Sequence, residues 1–110
     1  TTNIINTSKE FKIELIRAFF DDESTVTEKS IRVFQDKKEI LASFKKLLSE
    51  FGIVSKEIKT YLKREKKRYY FDIFQKSNLI IFERSIGFTS PKKRNKLLMI
   101  INKKPHWNDK

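Results

Sequence analysis

A chain of 110 residues, 38% hydrophobic and 13% aromatic, holds apolar material for one compact domain and not for two. It contains no cysteine and a single histidine, His106, in a basic polar tail over 103–110, which excludes a disulfide framework and a thiolate zinc site. The net charge of +11 comes from two stretches, since 56–76 holds eight Lys/Arg against three acids and 90–110 seven against one, and such segregation calls for a polyanionic partner.

Thr7 and Glu10 form a T-x-x-E capping box, which predicts a first helix from about Ser8 to Asp22. At about 100° per residue, Phe11, Leu15, Ala18 and Phe19 make one apolar stripe and Ile13, Ile16 and Phe20 a second beside it. The combined arc is wider than one core needs. It predicts a helix covered from two sides, by its own sheet and by another helix or subunit. Asp21, Asp22 and Glu23 close this helix, where each acid opposes the helix dipole by about 0.3 to 1 kcal/mol. Spacing alone leaves them as compatible with a solvated helix end as with a chemical role. "STVTEKSIRVFQ" then predicts a hairpin, with Ile31 and Val33 facing one way and Ser30, Arg32 and Phe34 the other.

The second helix is capped in sequence by Asp36 and Glu39, and Ile40, Leu41, Phe44, Leu47, Leu48 and Phe51 recur at helical spacing until Gly52 ends it. Two strands follow, about 54–63 and 67–75, around the charged turn "KREK"; Tyr69, Phe71 and Ile73 alternate there with Tyr70, Asp72 and Phe74. A short helix in "SNLIIFERSIG" stops at Gly87. The last begins at Ser90 with Pro91 at its first position and Lys92, Lys93, Arg94 and Lys96 in its first turns, where cations oppose the dipole. Its apolar run "LLMII" (97–101) falls short of the roughly 20 residues needed to span a bilayer, and no signal-peptide pattern opens the chain. The expectation is a soluble intracellular protein, cytoplasmic or nucleoid-associated, with no membrane partner.

Acids at one helix end and lysines at another suit phosphodiester chemistry. Mg²⁺ is held by one or two carboxylates plus substrate phosphate, and nearby lysines stabilise the charge that develops on phosphorus.

"LIRAFFDDESTV", an amphipathic helix ending in "LLSEFGI", a hairpin, "FERSIGF" and "KKRNKLL" follow one another over about 8–102 in an order and spacing that resembles the LAGLIDADG homing endonuclease family. The resemblance implies one domain over 1–110, α+β, with the αββαββα fold: a saddle-shaped antiparallel four-stranded sheet with helices on one face. The nine-residue motif falls on Ile16 to Ser24, and its eighth residue, Glu23, takes the position that holds the catalytic divalent metal, here Mg²⁺. By the same resemblance Gln35 matches a polar residue near the attacking water, and Lys92 or Lys93 a basic residue near the cleaved bond. Arg32, Lys59, Tyr61, Lys63, Arg68, Tyr70 and Asp72 would line the saddle against double-stranded DNA. Ile16, Ala18, Phe19 and Asp22 would face a paired helix.

The motif departs from the family at its ninth position, Ser24 for Gly, and its seventh, Asp22 for a small residue. One motif implies half an active site, completed by a second copy in a homodimer or by a second half in a longer chain. The implied activity is Mg²⁺-dependent, site-specific hydrolysis of both DNA strands. The alternative is a non-cleaving DNA-binding module derived from such an enzyme, a regulator or intron maturase. The residues without the resemblance would also suit a small basic RNA-binding protein.

Overall fold

The computed structural model describes residues 8–103, and their elements run α1 (Lys9–Glu23), β1 (Ser24–Val26), β2 (Ile31–Gln35), α2 (Lys38–Glu50), β3 (Lys59–Lys63), β4 (Lys66–Ile73), α3 (Lys76–Ser85) and α4 (Pro91–Asn102). This is αββαββα with one further helix. The strands form one antiparallel sheet in the order β1-β2-β4-β3.

Period-two patterning decides which face is buried. Val26, Ile31, Val33, Phe71 and Ile73 point to the helices, where Ile16 and Phe20 of α1, Leu41, Phe44 and Leu48 of α2, Leu79 and Phe82 of α3, and Leu97 and Ile100 of α4 close the core over them. Each such side chain contributes about 1.5 to 3 kcal/mol when fully buried. The other face is left open.

Local chemistry sets the ends. Ser8 caps α1 by accepting from the Phe11 N–H at 2.9 Å; Thr7, expected in that role, lies outside the described residues. Asp36 does not cap α2. Pairing of Gln35 with Tyr69 carries the next residue to Arg68, whose Nε stands 2.6 Å from the Asp36 carboxylate, and α2 starts after Lys37 with no side-chain cap. β3 begins five residues later than the pattern at 54 predicts; before it, the Lys45 ammonium takes the carbonyls of Ser55 and Lys56, at 3.2 and 2.9 Å, while the Lys56 N–H donates to the Asp72 carbonyl at 2.8 Å. Partial burial there pushes the Lys45 pKa down, against a smaller upward pull from Glu57. The β3–β4 turn places Arg64 and Glu65 at φ 53° and 67°, the left-handed pair that matches the twist of a tight hairpin. Gly87, at φ 73°, ends the α3 region by donating its N–H to the Phe82 carbonyl.

The wide apolar arc of α1 divides in two. Ile16 and Phe20 are fully buried in the chain's own core and Phe19 stacks on Phe44 at 3.9 Å, whereas Phe11 and Leu15 stay 45% and 42% exposed.

Candidate functional site

The three acids at the end of α1 have three different surroundings. Asp21 leans onto the start of α4, where its carboxylate accepts from the Thr89 N–H at 3.0 Å and the Ser90 N–H at 3.3 Å. An acid at the negative end of one helix is thereby an acid at the positive end of another, where it is favourable. Lys93 makes the reverse exchange: its ammonium donates to the main-chain carbonyls of Asp21 and Phe20 at the end of α1. Ser24 completes the junction, since its buried hydroxyl donates to the Phe20 carbonyl at 2.6 Å. The ninth motif position, where the resemblance expects glycine, here carries a helix-ending hydrogen bond.

Glu23 is different. It ends α1 half-buried, and among the described residues its carboxylate has no hydrogen-bond or ion-pair partner. It opens into a cleft of about 240 Å³ whose other walls are Asp22, Ser24, Phe34, Tyr61, Lys63 and Arg68. One side of the cleft is therefore acidic and comes from α1, and the other is aromatic and cationic and comes from the open face of the sheet. The described residues contain no group of three or more His, Asp or Glu able to enclose a metal ion. A free carboxylate at an open cleft still fits a hard cation that takes one protein oxygen from each of two sites and keeps its waters; one chain supplies half of that donor set.

The strand register brings the seven expected DNA-facing residues to one surface. Arg32 pairs with Asp72, Tyr70 with Lys59, and Tyr61 with Arg68, all on the face away from the helices. Phe34, Tyr61 and Tyr70 form an aromatic patch there, with ring centroids 5.7 to 6.3 Å apart. Arg32 is held by Asp72 through Nε–Oδ1 at 2.7 Å and Nη2–Oδ2 at 2.9 Å, which raises the Arg32 pKa against the lowering effect of burial.

Other expected residues stand elsewhere. Gln35 points to the opposite face from Phe34, and its Oε1 accepts from the Asp36 N–H at 2.8 Å, so it does not line the cleft. Lys93 is engaged at the helix junction, and Lys92 is exposed on α4 outside the cleft. Ile16 belongs to the core and Phe19 to the α1–α2 contact, which leaves Ala18 and Asp22 on the outward side of α1, in line with Phe11 and Leu15 at helical spacing. Sequence reasoning placed neither Phe34 nor Lys66 at the site. Alternation carries the signal for both, since Phe34 shares the parity of Arg32, and Lys66 faces Lys63 across the hairpin.

A family model described as LAGLIDADG-like domain matches residues 10–87, more than half of the chain, from the first turn of α1 to the glycine after α3. No curated protein matches the sequence.

Proposed function

The chain belongs to the LAGLIDADG-like domain family, and from that premise we propose that it is one half of a site-specific endonuclease acting on double-stranded DNA. LAGLIDADG domains bind DNA and pair with one another, and the coarse assignment is a homing-endonuclease-type nuclease or a module derived from one. The observation that carries the finer reading is the unpartnered Glu23 carboxylate in a cleft walled by Lys63 and Arg68.

Pairing through the outward stripe of α1 would bring two Glu23 carboxylates together at the junction of two sheets. Glu23 and its counterpart would hold Mg²⁺, which, when bound, supplies a Lewis acid for the phosphate and a more acidic water. The chain's own residues orient the substrate. Lys63 attracts the phosphate beside Arg68, which the Asp36 carboxylate holds in place, Phe34 and Tyr61 exclude water from one wall and so strengthen the lysine's charge, and the saddle holds the duplex in register.

A second reading, a module that binds DNA without cutting it, draws support from Asp22. Its exposed carboxylate lies on the outward stripe beside Ala18, so pairing two copies sets like charges against each other. A plasmid library with randomised duplex inserts, incubated with the protein and Mg²⁺, decides between the two. Double-strand breaks in a subset of inserts are expected; inserts that are bound and left whole would establish the derived module instead.

A further inference from the structure

The structure assigns Arg32 and Asp72 a specific task on the saddle: we propose that they form a preset reader of guanine in the major groove, an inference that rests on the double-stranded DNA reading above.

The geometry of the pair leads there. Asp72 grips the guanidinium side-on, through Nε and Nη2, and the Tyr70 ring lies under its central carbon at 4.4 Å. The guanidinium is thus fixed in plane and in tilt. Side-on gripping leaves the other edge, with one N–H of Nη1 and one of Nη2, parallel and without a partner among the described residues, while the Arg32 side chain stays 38% exposed. Two parallel N–H donors match the O6 and N7 acceptors of guanine, which only a G·C pair presents side by side in the major groove.

Two further observations favour a base over a phosphate. Asp72 is the only acid on the strand residues of the open face, where it opposes attraction to DNA. It also neutralises Arg32, so the pair is a poor phosphate anchor but a good directional donor; Lys59, Lys63 and Lys66 on the same face serve the phosphates. The Asp72 side chain is only 15% exposed and both its oxygens are engaged by Arg32, so it is not itself free to accept from a base. A solvent-facing ion pair held for stability alone contributes little and requires no aromatic floor.

The test selects bound duplexes from a randomised pool with the wild-type protein, Arg32→Lys, Arg32→Ala and Asp72→Asn at one salt concentration. Wild-type sites should share a G·C pair at one position of each half-site. Replacing it with A·T, or the guanine with 7-deazaguanine, should weaken binding about tenfold to a hundredfold, the range of a lost bidentate base contact. Arg32→Lys keeps the charge but not the fork, and like Arg32→Ala it should accept any base pair there while other preferences persist. Asp72→Asn should relax the same position by a smaller factor. Wild-type sites without a required guanine, or a requirement that survives Arg32→Ala, would overturn the assignment. Salt-sensitive duplex binding with no shared sequence would sink it and leave the DNA reading intact, whereas no duplex binding at all would remove both.

Discussion

Asp21 and Glu23 sit two residues apart on one helix and belong to two different regions. In the junction between α1 and α4, two misplaced charges find their remedy inside the chain: Asp21 serves the amides of Thr89 and Ser90, and Lys93 the carbonyls of Phe20 and Asp21. In the cleft two residues on, the Glu23 carboxylate has no such remedy among the described residues, and Lys63 faces it from an exposed strand. Local charge patterns are identical in kind at the two places. What separates them is whether the fold returns a complementary group, and the unreturned one is where an external ligand is expected.

The largest expected effect falls on the cleft. Glu23→Gln preserves shape and removes the charge, so cleavage of a selected site should drop by about 100-fold to 1,000-fold, the scale of a lost charge-stabilising group, while duplex binding without Mg²⁺ and thermal stability stay unchanged. A matching loss of stability would place Glu23 with the junction, and the contrast would collapse.

Next is the outward stripe of α1. Phe11 and Leu15 remain partly exposed in a single copy, so pairing buries more of each. Leu15→Arg, changed in both partners, should weaken self-association by about 30-fold, or about 2 kcal/mol per pair, as read by sedimentation over a concentration series. Unaltered association would move the partner to another surface.

The α1–α4 junction supplies the third test. Asp21→Ala removes a charged cap and should destabilise the fold by about 1 to 2 kcal/mol, lowering the melting temperature by roughly 4 to 8 °C per kcal/mol. Asp21→Asn should recover most of that loss, because asparagine caps nearly as well. Any residual cleavage defect in a fully folded Asp21→Asn protein would tie the junction to catalysis after all.

The same contrast explains what the sequence could and could not disclose. Period-two and period-3.6 patterns located the four helices of the described residues and the sheet's two faces, because burial of residues such as Val33, Phe71, Leu41 and Phe44 obeys those periods. Alternation also set Arg32 apart from Ile31 and Val33, and Tyr70 and Asp72 apart from Phe71 and Ile73, while it was the resemblance that implied one shared surface for the three. Pairings between distant segments were not legible. Lys45 reaching the Ser55 carbonyl, Asp36 meeting Arg68, and Lys93 closing α1 depend on how elements dock, and no local spacing encodes docking. Lys93 shows the consequence: a lysine in a motif-matched position was available to the substrate by sequence, and the fold has spent it on a helix end.

The smallest expected effect gives the finest division between the regions, because it compares two lysines. Lys63 is exposed on β3 at the cleft and, in the DNA reading, neutralises one phosphate. Lys63→Ala should then reduce the slope of log K against log salt by about 0.9 and weaken binding severalfold at low salt, with no change in melting temperature. Lys93→Met keeps most of the aliphatic stem and removes the ammonium from the carbonyls of Phe20 and Asp21. It should lower the melting temperature by a few degrees, corresponding to about 1 kcal/mol for hydrogen bonds from a charged donor at a half-buried helix end, and leave the salt slope as it was. Both variants lose one positive charge, so net charge cannot distinguish them; only where the charge is used can. A change of slope in Lys93→Met would mean that its ammonium leaves the junction for the phosphates when DNA arrives, and the two regions would then share one lysine.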